Sequence, residues 1–94
     1  MITIKLYSAN YCPYCKKLIN LLKKDNIEFE IVDIETDKGD IEFNEVYKKI
    51  KTNLIPIVKL NNYYLIPEKS FKTINQCFEI IKKIIDNKVD LLKK

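Results

Sequence analysis

The sequence predicts one α/β domain of order β-α-β-α-β-β-α, and three observations carry that expectation. Apolar residues recur with period two in some segments and at i, i+3, i+4, i+7 in others, and the two kinds of segment interleave along the chain. Two β-prone runs near residue 60 are separated only by Asn61-Asn62. The 94 residues include a single glycine and three prolines, which leaves room for one core and no place for a linker. A βαβ unit pairs its strands in parallel whereas a tight hairpin pairs them antiparallel, so the natural closure is a four-stranded mixed sheet flanked by helices.

The elements follow in chain order. Ile2, Ile4 and Leu6 alternate with Thr3, Lys5 and Tyr7, predicting a strand over 2–7. After the polar loop Ser8-Ala9-Asn10, Cys15, Leu18, Ile19 and Leu22 form one stripe with Lys16, Lys17, Lys23 and Lys24 opposite, an amphipathic helix ending near Asp25-Asn26. Ile27, Phe29 and Ile31 alternate with Glu28 and Glu30, predicting a second strand that runs to about Ile34 and stops at the turn residues Asp37-Lys38-Gly39-Asp40. Phe43, Val46, Tyr47 and Ile50 set a helix over about 40–51. The runs 57–60 and 63–66 form a hairpin, because asparagine tolerates the positive φ of a two-residue turn. Pro67 closes it, and Ser70 is placed to cap a last helix carrying Phe71, Ile74, Phe78, Ile81 and Ile85.

Composition narrows the function. Apolar residues are 47% and charged residues 32%, unlike a disordered tail, and the longest apolar runs, such as Leu54 to Val58, fall far short of a membrane span. The N-terminus carries no basic stretch followed by an apolar core, so a soluble, cytoplasmic protein with no membrane partner is expected. All 17 basic residues are lysine, the net charge is +4, and the lysines are interspersed with Asp and Glu instead of forming a basic stripe with interleaved aromatics. Nucleic acid is therefore not expected as a partner.

Cys12-Pro13-Tyr14-Cys15 sits where the first strand hands over to the first helix. Cysteines three apart at a helix start lie about one turn from each other, within disulfide reach. Cys12 falls at the cap, where unpaired N–H groups and the positive end of the helix dipole stabilise a thiolate, while Cys15 lies on the apolar stripe. The pair is thus expected to be unequal: an exposed, low-pKa nucleophile at Cys12 and a partly buried resolving thiol at Cys15. Pro13 suits the first helical turn, where its missing N–H has no partner to lose. Half of a zinc site is the competing reading, but with no histidine and only Cys77 besides, neither a four-cysteine nor a two-cysteine, two-histidine set can be completed. Redox chemistry is the better account, and no metal is assigned. Cys77, three residues after Ile74, reads as a buried small apolar residue. Tyr63-Tyr64 reads as strand packing, one ring in and one out. Tyr11 either lines a substrate groove or covers the core.

Cys12-Pro13-Tyr14-Cys15, Ile55-Pro56 at the start of a third strand, and this element order over nearly the whole chain resemble the dithiol glutaredoxins, with 1–94 as a single glutaredoxin-like domain. The resemblance implies a thioredoxin-like fold with sheet order 2-1-3-4, Cys12 as nucleophile, Cys15 as resolving thiol and Pro56 as a cis-proline facing them. It also implies no tightly bound cofactor, glutathione as co-substrate, and protein disulfides or glutathione mixed disulfides as substrates of a monomer. The chain departs from the family at three places. Ala9 stands where a basic loop residue is usual, Ile66-Pro67 replaces a Gly-Gly pair, and Lys69 and Ser70 stand where an acidic residue opens the last helix. Tyr14, the Ile55-Pro56 backbone, and Lys69 and Ser70 at the last helix's anion-binding N-terminus remain the substrate-binding candidates, with Lys16, Lys51 or Lys69 as replacements for the missing cation. The departures favour a rival in which a thioredoxin reductase is the electron donor. An iron–sulfur cluster held between two subunits by Cys12 and two glutathiones is the alternative from another class, which Pro13 disfavours. A thioredoxin-fold adaptor whose cysteines merely pack is the third.

Overall fold

A computed structural model describes residues 2–86. Its elements are β1 (Ile4–Ser8), α1 (Pro13–Lys24), β2 (Glu30–Asp33), α2 (Asp37–Ile50), β3 (Ile57–Leu60), β4 (Tyr63–Leu65) and α3 (Ile74–Asp86). The sheet order is β2-β1-β3-β4, with β1 and β2 parallel and the other two pairs antiparallel. The expected order of elements and the 2-1-3-4 sheet are both observed.

The pleat divides the core. Ile4 and Leu6 of β1 join Val58 and Leu60 of β3 under Leu18 and Leu22 of α1 and Ile74, Cys77 and Ile81 of α3. Tyr7 and Ile57 point the other way, with Val32, against Phe43, Val46 and Ile50 of α2. Successive strand residues thus serve opposite layers, so α1 and α3 share one face while α2 takes the other.

Three element boundaries differ from the sequence reading, each for a local reason. Ile27 and Phe29 precede β2 and pack at the edge of the α1/α3 core, while Ile31 is 45% exposed and Val32 is the buried residue of the strand. As an edge strand β2 is held by β1 alone, so alternation along it is a weak guide. Residues 37–40 form no turn; they are the first turn of α2, capped by Thr36, whose Oγ1 accepts from the Gly39 N–H at 3.0 Å. Asp37 and Asp40 then sit at the positive end of the helix dipole. Gly39 is needed there because an added Cβ would run into the Asp33 carbonyl oxygen. Ser70 does not cap α3. The helix opens at Ile74, where Thr73 Oγ1 accepts from the Gln76 N–H (3.1 Å) and Gln76 Oε1 accepts from the N–H groups of Thr73 (3.2 Å) and Lys72 (2.8 Å). Ser70 closes the preceding loop instead, its Oγ accepting from the Ile66 N–H at 2.9 Å. In the hairpin only Asn61 takes a positive φ, of 56°, and its side chain accepts from the Thr3 N–H at 2.9 Å. Among the described residues no helix is long and apolar enough to cross a membrane.

Candidate active site

β1 delivers the chain to the sheet's end at Ser8, and the Cys12 N–H donates to the Ala9 carbonyl at 3.2 Å, folding the loop back toward α1. Cys12 is the N-cap of α1, with extended backbone (φ −99°, ψ 103°), and Pro13 follows at the first helical position. Cys12 and Cys15 are disulfide-bonded, with Cα atoms 5.3 Å apart. The Cys15 N–H, one of the helix's free amide groups, donates to Cys12 Sγ at 3.1 Å. The backbone therefore offers Cys12 a hydrogen-bond donor and the dipole's positive end together, and both favour a thiolate.

Burial corrects one expectation. Cys12 is 5% exposed, against 1% for Cys15, so the expected exposed nucleophile is a buried sulfur in this disulfide form. The reason is the capping geometry: Sγ is turned back toward the amide of Cys15. The exposed groups are its neighbours Tyr11 and Tyr14, at 70% and 64%.

Across from α1, the Ile55–Pro56 peptide bond is cis, as the family resemblance implied, and Pro56 is buried. Tyr14, Ile55 and Pro56 line one groove of about 500 Å³, whose other walls include Leu54, Phe71 and Ile74. Three of the seven site residues named from the sequence thus meet beside the disulfide formed by two more. Lys69 and Ser70 are not among them; they line an adjoining hollow with Asn75 and Glu79, which shares Glu68, Phe71 and Lys72 with the groove. Because α3 starts at Ile74 and not at Ser70, its N-terminal lysine is Lys72. The charged residues that do line the groove are Lys17, Glu68 and Lys72. Sequence reasoning passed over all three. The signal that would have found Lys72 is the capping box Thr73-x-x-Gln76, which sets where α3 opens; Glu68, at φ 70° in the loop, had no such signal.

Ala9, read as the position of the missing loop cation, is 4% exposed and turned into the protein. The exposed loop residue is Asn10, whose N–H donates to Glu35 Oε1 at 2.8 Å. Cys77 is fully buried, and burial pushes its thiol pKa up to about 12, which keeps it protonated and unreactive at neutral pH.

A thioredoxin-like sheet with a Cys-x-x-Cys disulfide at the N-terminus of its first helix and a cis-proline across from it defines the class of thiol–disulfide redox proteins. Within that class, the family model described as Glutaredoxin matches residues 4–64, and the chain belongs to the glutaredoxin family. It is 32% identical over 63 residues to an uncharacterized glutaredoxin-like 8.6 kDa protein in the rubredoxin operon of Clostridium pasteurianum, covering 67% of this chain and 81% of that protein. The fold is similar to that of a glutaredoxin from Archaeoglobus fulgidus (TM-score 0.65, 19% identity, 90% of this chain and 87% of the other). It is also similar to a buckwheat glutaredoxin solved in complex with glutathione (TM-score 0.65, 13% identity, 87% and 70%). Family, fold and a cysteine pair at disulfide distance support thiol–disulfide oxidoreductase activity.

Proposed function

We propose that this chain reduces protein disulfides and glutathione mixed disulfides through Cys12 and Cys15, with glutathione as its electron donor. The observation that carries the reading is the Cys15 N–H donated to Cys12 Sγ at the N-cap of α1, which makes Cys12 the better thiolate of the pair. In the reduced form the Cys12 thiolate attacks one sulfur of the substrate disulfide; a Cys12–substrate S–S bond forms and the other substrate sulfur leaves as a thiolate that takes up a proton. The Cys15 thiolate then attacks Cys12 Sγ, closing the Cys12–Cys15 bond and releasing the second substrate thiol. Two electrons have passed from the pair to the substrate. Glutathione returns them: one thiolate attacks Cys12 and frees Cys15, and a second attacks the glutathione sulfur of the mixed disulfide, leaving glutathione disulfide and the Cys12 thiolate.

The groove supports glutathione as the donor. The tripeptide carries two carboxylates and one ammonium, and the groove offers Lys17 and Lys72 with Glu68, between apolar walls. These residues compensate for the basic loop residue and the acidic residue that the chain lacks at the family's usual positions. Ile55, on the rim beside Pro56, offers main-chain groups to an extended ligand. The reading assigns the protein to the cytoplasm, where such dithiols are kept reduced, and to action as a monomer.

NADPH consumption with glutathione and glutathione reductase, run beside a thioredoxin reductase, tests the donor. Glutathione is expected to sustain turnover, and Lys72→Ala to raise its KM roughly tenfold by removing one charge-assisted contact. Inactivity with glutathione beside rapid reduction by thioredoxin reductase would overturn the donor assignment.

A further inference from the structure

The groove beside Tyr14 has a counterpart on the opposite flank of the redox pair. A hollow of about 430 Å³ opens beside Tyr11, the residue before Cys12, and it shares no lining residue with the Tyr14 groove. Its lining includes the aromatic residues Tyr11, Phe43 and Tyr47, the acidic residues Glu35 and Asp40, and Asn53. Among the described residues no lysine lines this hollow, whereas two line the Tyr14 groove. Glu35 is held in place: Oε1 accepts the Asn10 N–H at 2.8 Å, and its own N–H donates to Asp33 Oδ1 at 2.9 Å. Among the described residues its second oxygen accepts no hydrogen bond from the chain.

We propose that this hollow receives a lysine or arginine side chain of a protein-disulfide substrate, so that the protein selects substrate cysteines that have a cationic neighbour. The proposal rests on the oxidoreductase reading above and names the substrate class of that same site. A carboxylate pair among aromatic rings suits a guanidinium or ammonium group, which gains charge-assisted hydrogen bonds and ring faces together. Reach is adequate, because a residue adds about 3.3–3.6 Å of extended chain and the hollow begins one residue from Cys12. A substrate segment lying across Cys12 would then meet carboxylates on the Tyr11 side and lysines on the Tyr14 side, which fixes its direction as well as its register.

Two peptides decide the matter, each holding one cysteine in a mixed disulfide with mercaptoethanol and identical except that arginine or glutamate flanks the cysteine on both sides. Reduced protein, freed of excess dithiothreitol, passes two electrons to each peptide in a single turnover and becomes the Cys12–Cys15 disulfide. The readout is the ratio of second-order rate constants, arginine over glutamate. The protein's net charge of +4 favours the glutamate peptide, so a ratio above one reports the local hollow against the global field. A ratio of about five to ten is expected at low salt, shrinking toward one at 1 M salt. The double variant Glu35→Gln, Asp40→Asn is expected to lower it about fivefold, since glutamine keeps an acceptor for Asn10. Glu45→Gln, a charge lost elsewhere on α2, is expected to leave the ratio unchanged. A wild-type ratio of one or less, or an equal drop in Glu45→Gln, overturns this inference alone. Reduction of neither peptide overturns the oxidoreductase reading with it.

Discussion

Cys12 and Cys77 are both placed by helices and both nearly inaccessible, yet the molecule treats them in opposite ways. Cys12 caps α1 and receives an amide N–H on its sulfur, and its neighbours Tyr11 and Tyr14 each line an open hollow. Cys77 closes the first turn of α3, its backbone N–H taken by the Thr73 carbonyl and its side chain buried in the cluster that holds Leu18, Leu22 and Ile81. The first environment favours a thiolate and the second disfavours it, so position along a helix, more than burial, separates the cysteine proposed for chemistry from the one that packs.

The largest effect expected from breaking this contrast is on turnover. Cys12→Ser should abolish reduction of every disulfide substrate, a loss of at least about 10³-fold, because the attacking atom is gone. Cys15→Ser should stop dithiol reduction of protein disulfides while sparing attack on glutathione mixed disulfides; the NADPH-coupled assay separates the two. Preferential alkylation of Cys15 over Cys12 in the reduced protein at mildly acidic pH would reverse the assignment.

A second perturbation strikes the layer that carries neither cysteine. Gly39→Ala should destabilise the fold by about 1–3 kcal/mol, since its Cβ meets the Asp33 carbonyl and forces the first turn of α2 off β2. Denaturant unfolding gives the value, and a neutral result would mean that the turn yields freely. The redox rate should change little, because neither Cys12 nor Cys15 belongs to the cluster that packs on α2.

That separation also bears on what could be read in the sequence. Periodicity exposed α1 because it buries one clean face, Asn61-Asn62 between two β-prone runs exposed the hairpin, and Cys12 and Cys15 were legible from a Cys-x-x-Cys at a strand–helix junction, whereas Tyr14, Ile55 and Pro56 came from the family resemblance and not from the residues alone. The failures fell where local hydrogen bonds outweigh periodicity. Thr36 with Gly39, and Thr73 with Gln76, start helices at residues that hydropathy leaves blank, and the second displaced the groove's cation from Lys69 to Lys72. Glu35 belongs to the same group: only the folded loop brings it to Asn10, twenty-five residues away in sequence.

Cys77→Ser sharpens the contrast from its inert side. Turnover should stay near the wild-type value, while stability falls by about 1 kcal/mol as a hydroxyl replaces a packed thiol. The same burial sets an alkaline limit. The folded pKa, about 12, lies above the ordinary value of 9.0, so the unfolded state loses its proton first. Stability is therefore undiminished below about pH 9 and declines as pH rises from there toward 12, by up to about 1.4 kcal/mol per pH unit for this group. Cys77→Ser should remove that part of the alkaline decline, as urea midpoints measured between pH 8 and 11 would reveal.

The smallest effect belongs to the polar cluster on the α2 face, which is as charged as the Cys77 layer is dry. Glu42 Oε2 accepts from Lys5 Nζ at 3.0 Å and from the buried Tyr7 hydroxyl at 3.1 Å. The Lys5 hydrogen bond is the main cause that holds the Glu42 carboxyl below its ordinary pKa of 4.5, against an opposing push from burial. A lowered folded pKa means that the unfolded state takes up its proton first, so this contribution is complete above about pH 4.5 and is lost as pH falls through the folded value. Both side chains of the ion pair are about 30% exposed, which keeps the contribution small. Glu42→Gln retains an acceptor for Tyr7 and removes only the charge, so a loss of about 0.5 kcal/mol is expected at pH 7, together with a flatter acid limb between pH 5 and 3. Urea midpoints across that range measure both. A loss several times larger, or an unchanged acid limb, would show that the charge pair with Lys5 is not what sets this contribution.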